Sequence, residues 1–196
     1  MVAKYLGMIK ELNNNIDPQR IVEAYKLIED KFDLSKPFPA VSITSLDGGL
    51  SGIPDLDSVR EYNIKHNLDL DETSFNKKTE LWPLVQDALA PFENYLGRTH
   101  FIRMERTGCF PPHRDQYSID VNSFRLFIAI DGCNPPDNYF IIDEKIYNFT
   151  PGKVYFINTC KEHTVFTTGS QSTFVVANII ISDKSVNAVL NNLLIS

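Results

Sequence analysis

Long apolar runs are missing from this sequence, and so is any excess of basic charge. No stretch of about 18 consecutive apolar residues occurs, which excludes a membrane-spanning helix, and the opening MVAKYLGMIKELNNN has neither the apolar stretch nor the small-residue cleavage site of a signal peptide. With 19 Lys and Arg against 25 Asp and Glu, the formal net charge is -6. A protein that tracks nucleic-acid phosphates needs a basic stripe, so neither nucleic acid nor a membrane is an expected partner. Cysteine is scarce: Cys109, Cys133 and Cys160 are odd in number and form no CxxC pair, so no disulfide framework is implied. These absences lead us to expect a soluble, cytoplasmic protein.

What is present is ordinary globular material, 43% hydrophobic and 22% charged, with 13 Phe and 8 Tyr. The length suits one well-buried domain over residues 1–196. Asp17 and Pro18 supply an N-cap and first turn, and Ile21, Val22, Tyr25, Ile28 and Phe32 recur at helical spacing, which predicts a helix over 18–32. Residues 35–78 hold the Pro, Gly, Asp and Ser punctuation of loops and short strands. A second helix is predicted over 79–96, with Val85, Leu89, Phe92 and Leu96 on one face, Trp82 at its base, a bend at Pro91 and a stop at Gly97.

From Thr99 to Ser182 the pattern changes to β-branched and aromatic runs at 99–106, 123–130, 138–142, 145–149, 153–157, 163–168 and 173–181, and the tail 184–194 is again helical. The expected organisation is a helical and loop part (1–97), a β body (98–182) and a C-terminal helix (183–196). That is a mainly β fold with flanking helices, a sandwich or barrel in architecture.

Within the β body, residues 106–117 read RTGCFPPHRDQY. In an extended segment, residues two apart project from one face, so His113 and Asp115 converge while Arg114 points away. His163, in KEHTVF, supplies a third donor from a distant strand, with 47 residues between it and Asp115. Two histidines and one carboxylate on one side of an iron(II) ion leave open positions for a chelating cosubstrate and dioxygen. The turn Thr150-Pro151-Gly152-Lys153 leads into VYFIN before the last histidine, a layout like that of a small double-stranded β-helix (jelly roll, cupin-like).

Taken in order, PPHRD, FRLFIAI, PGKVYFIN and EHTVF resemble the 2-oxoglutarate and iron(II) dependent oxygenases, in particular the aspartyl/asparaginyl β-hydroxylase-like branch that includes free-proline hydroxylases. The resemblance covers residues 101–181. It implies a jelly roll, iron(II) held by His113, Asp115 and His163 as the catalytic centre, and oxidative decarboxylation of 2-oxoglutarate to succinate coupled to hydroxylation of a carbon. The substrate expected is a free amino acid, a small carboxylate or a peptide side chain.

Such enzymes commonly hold the distal carboxylate of 2-oxoglutarate with an arginine about ten residues after the last histidine, where a bidentate pair supplies charge and geometry together. Here Thr173 stands there, and Phe174 one position on. Arg125, a cation in an apolar strand, is the best substitute, with a hydroxyl contribution from Thr173; Arg103, Arg106 and Lys153 are weaker candidates. A structural alternative pairs Arg125 with Asp131 or Asp143. Two rival readings of the whole site are a cupin-like metal- or small-molecule-binding module without 2-oxoglutarate turnover, and a Cys2His2 zinc domain built from Cys109, His113, Cys160 and His163. Tyr117, Tyr139 and Tyr155 read as core or rim aromatics, and His66 and His100 receive no functional role.

Overall fold

Residues Ser123–Asp131, SFRLFIAID, form a nearly unbroken apolar strand because both faces of that strand are covered. In the computed structural model, which describes residues 6–35, 39–50, 59–115, 122–169 and 171–194, Leu126, Ile128 and Ile130 join one hydrophobic cluster with Ile28, Trp82, Leu89 and Phe92. Phe127 and Ala129, which alternate with them, join a second cluster with Phe140, Ile142 and Val165.

The strands are β1 (Ile9–Asn15), β2 (Ala40–Ser42), β3 (Thr44–Ser45), β4 (Lys77–Lys78), β5 (Leu96–Glu105), β6 (Cys109–His113), β7 (Ser123–Asp131), β8 (Asn138–Ile142), β9 (Lys145–Tyr147), β10 (Lys153–Ile157), β11 (His163–Thr167) and β12 (Gln171–Ile180). Helices α1 (Pro18–Ile28), α2 (Val59–His66), α3 (Gln86–Leu89) and α4 (Asp183–Asn191) accompany them. A six-stranded sheet runs β1-β10-β7-β12-β5-β2 and a four-stranded sheet β6-β11-β8-β9, with every pairing antiparallel. The second cluster fills the space between the two sheets, and the first backs the larger sheet with helices. This is the double-stranded β-helix expected from the sequence.

All seven predicted strands form, with ends displaced by a few residues. The turn before β10 closes as read: Gly152 has φ +80, a conformation only glycine adopts without cost, and its N–H donates to Ala129 O at 2.8 Å. Other expectations need correction. The part over 1–97 is not helix and loop alone, because β1 pairs with β10 and extends the larger sheet. The continuous helix over 79–96 is instead a 3-10 turn (Trp82–Leu84), the short α3 and a second 3-10 turn (Ala90–Tyr95). Pro83 and Pro91 each remove a backbone donor, and the segment breaks there while Val85, Leu89, Phe92 and Leu96 still reach the core.

Gly97 does not stop a helix but lies inside β5, where a Cβ would meet Glu72 O at 2.4 Å. Among the described residues, no helix is long and apolar enough to cross a membrane. All three cysteines are free.

Candidate metal centre

Strand register builds the site. In the pairing of β11 with β6, His163 lies directly opposite His113, and the two imidazole centroids are 4.3 Å apart. β6 ends at His113, so Asp115 sits just past the strand, its N–H donating to Thr159 O at 3.1 Å rather than to the ladder. Arg114 is exposed and Asp115 turns inward, as the two-residue spacing predicts. Asp115 Oδ1 is 3.2 Å from His113 Nε2 and 3.6 Å from His163 Nε2, and one donor atom from each residue lies within 4.8 Å of the others. Metal bonds near 2.1 Å put neighbouring donors about 3 Å apart, so the set fits a single ion.

Both imidazoles are oriented alike. Nδ1 of His113 donates to Pro111 O at 2.7 Å, and Nδ1 of His163 donates to Lys161 O at 3.0 Å, which leaves each Nε2 lone pair facing the cluster. The hydrogen bond to Asp115 raises the pKa of His113. Burial lowers the pKa of His163, favouring the neutral ring that ligates metal. Burial alone would raise the Asp115 carboxyl, but the hydrogen bond from His113 and the charge of Arg125 outweigh it and hold it well below the usual carboxylate range. Arg125 reaches it from β7, its Nε donating to Asp115 Oδ2 at 2.5 Å, while its Nη1 is buried without a partner. The alternative pairings with Asp131 and Asp143 are not formed; the carboxylate that holds Arg125 is Asp115.

The cluster opens into a cavity of about 300 Å³ between the two sheets. Residues 63–178, more than half of the chain, match the family described as Aspartyl/Asparaginyl beta-hydroxylase. The chain belongs to the aspartyl/asparaginyl β-hydroxylase family. No curated protein matches the sequence. Among solved structures, the collagen prolyl hydroxylase of Paramecium bursaria Chlorella virus-1, in its 2OG complex, is 8% identical with a TM-score of 0.53, the match covering 90% of this chain and 97% of that one. A prolyl-4-hydroxylase from Pseudomonas putida is 11% identical with a TM-score of 0.49, over 92% and 97% of the two chains. The viral structure shows that the fold is shared.

The stretch that matches the aspartyl/asparaginyl β-hydroxylase family contains His113, Asp115, Arg125 and His163. Thr173 is not brought to the cavity: it is fully buried, its hydroxyl unpartnered, and Phe174 lines the cavity instead. Arg103, Arg106 and Lys153 do not line it either. Arg103 pairs with Glu105 at 2.6 Å, hydrogen-bonds Gln171 and lies over Phe32. The Cys2His2 arrangement is not assembled: Cys109 stands opposite Phe166, remote along the ladder from the His163–His113 pair, and Cys109 and Cys160 are exposed.

Tyr139 stacks on Phe166, Tyr155 donates to Glu11 Oε2 at 3.1 Å, and Tyr117 lies outside the described residues. Cavity-lining residues that sequence reasoning passed over are Arg98, His100 and Asn178. Arg98 and His100 share strand parity with Ile102 on β5, a signal available once the strand is extended back to Leu96. Glu72, from the segment read only as loop, bonds Arg98 Nε at 2.8 Å and Asn178 Nδ2 at 2.9 Å.

Proposed function

We propose that this protein is an iron(II)-dependent dioxygenase that couples oxidative decarboxylation of a 2-oxo acid to hydroxylation of a free amino acid, a small carboxylate or a peptide side chain. The observation that carries the reading is the pair of cross-strand histidines with Nε2 turned to Asp115 inside a jelly-roll cavity. His113, Asp115 and His163 hold the metal by one face, and Arg125 orients the Asp115 carboxylate while offering its buried Nη1 to an incoming carboxylate. Iron(II), when bound, supplies the open positions at which a 2-oxo acid, of which 2-oxoglutarate is the one implied by the sequence resemblance, and dioxygen meet. Phe110 and Phe140 line the cavity beside that point. The viral protein that shares this fold is a collagen prolyl hydroxylase; proline, free or in a peptide, is therefore the first substrate to offer.

The test is metal content of His113→Ala and Cys160→Ala proteins purified in parallel. Loss of iron in the first alone supports the facial triad. Equal retention in both sinks it.

A further inference from the structure

We propose that the cosubstrate taken by this site is a 2-oxo acid with an apolar tail, branched aliphatic or aromatic, in preference to 2-oxoglutarate. The inference rests on the oxygenase reading above and concerns the half of the cavity that lies beyond the metal.

Register orders the cavity wall. On β12 the residues facing inward are Asn178, Val176 and Phe174, successive levels that together span about 13 Å. Asn178 pairs across to Arg125 and Val176 to Phe127 on β7, while Val176 pairs to His100 and Phe174 to Ile102 on β5. Because Arg125 touches Asp115, the metal ligands belong to the Asn178 level. On the facing sheet, the level after His163 is Val165, with Phe110 opposite it on β6 and Phe140 on β8. Phe127 closes the inner end, its ring 5.4 Å from Phe140 and 5.1 Å from Phe174.

Charge is therefore confined to the metal end. Arg98 and Arg125 are there: Arg98 pairs with Glu72, and Arg125 holds Asp115 through Nε and keeps its unpartnered Nη1 at that same end. The inner wall is Ile102, Phe110, Phe140, Val165, Phe174 and Val176, and among the described residues no lysine or arginine lines it. His100, at the middle level, is buried, and that burial, with the charges of Arg98 and Arg125, lowers its pKa well below the ordinary 6.5.

A 2-oxo acid that chelated through its carboxylate and oxo group at the His113, Asp115 and His163 cluster would have this apolar wall available to its remaining carbons. A second carboxylate there is desolvated with no cation to meet it, whereas an alkyl or phenyl group gains the burial. The reaction balances as for any 2-oxo acid. C1 leaves as carbon dioxide, one atom of dioxygen enters the shortened carboxylic acid and the other enters the substrate C–H bond, each partner supplying two electrons.

The test uses full-length protein loaded anaerobically with iron(II) and titrated with 2-oxoglutarate, pyruvate, 4-methyl-2-oxopentanoate and phenylpyruvate, reading the weak visible charge-transfer band of the chelated oxo acid. The expected result is half-saturation by at least one of the two apolar acids at a concentration at least tenfold below that of both pyruvate and 2-oxoglutarate. Tightest binding by 2-oxoglutarate, or four indistinguishable affinities, overturns the inference and leaves the oxygenase reading standing. Iron binding with no band from any of the four overturns both.

Discussion

Asp115 is the residue on which the site converges. Its two oxygens are divided: Oδ1 faces both histidines, and Oδ2 accepts from Arg125. The division matters because an arginine that neutralised the whole carboxylate would compete with a metal, whereas one fixed on the far oxygen orients the near one. In Arg125→Met, Asp115 stays buried but loses that orientation, and iron(II) affinity should fall roughly 10–100-fold in an anaerobic titration. His66→Ala, on the exposed face of α2, should leave it unchanged. Equal affinity in wild type and Arg125→Met would mean that the 2.5 Å contact does nothing for the metal.

Local chemistry made this part of the site readable from sequence. Asp115 lies just past the end of β6 yet still turns to the side of His113, so the ending of the strand cost the reading nothing. The partner of Arg125 was not readable, since Asp131, Asp143 and Asp115 are equivalent candidates until the register is known. Thr173 was misjudged for a related reason: sequence distance from His163 cannot say which of two successive β12 residues faces inward, and the inward one is Phe174.

Among the elements, legibility followed burial. β7, β10 and β12 are covered on both faces and show as apolar runs. β1, IKELNNN, has Leu12 as its one buried residue and is held by backbone pairing, so no period-two signal survives. α2, VREYNIKH, buries none of its residues and has no apolar stripe to detect. Gly97 shows how an element and the site are joined. Its missing Cβ lets the Glu72 backbone approach β5, Arg98 N donates to Glu72 O at 2.7 Å, and the Glu72 side chain is thereby set against Arg98 and Asn178. Gly97→Val forces that segment off the strand, and we expect a loss of about 1–3 kcal/mol in urea unfolding. Wild-type stability in this variant would mean that the approach of Glu72 is not needed.

For the molecule as a whole, the cavity that serves the site is a liability in acid. His100 has Nδ1 buried without a partner, and burial, then Arg98 and Arg125, push its pKa well below the ordinary 6.5. His163 is shifted the same way by burial, and Asp115, also lowered, adds its loss further down, below the carboxylate value of 3.8. His113 is shifted upward and opposes them, its contribution being complete below 6.5 and lost as the pH rises through its folded-state pKa. The sign for His100 follows from proton counting: between its folded pKa and 6.5 the unfolded chain holds a proton that the folded chain refuses, so stability is complete above 6.5 and falls as the pH drops below it.

Metal-free protein should therefore begin to lose unfolding free energy on acidification near pH 6.5, well before its carboxylates titrate. Denaturant unfolding across the range from about pH 7.5 to 5, run on wild type and on His100→Gln, separates this term from the rest, because the variant keeps a polar side chain and loses the titration. The variant's profile should be the shallower of the two. Parallel profiles would assign the acid sensitivity to His163 and leave His100 without a part in it.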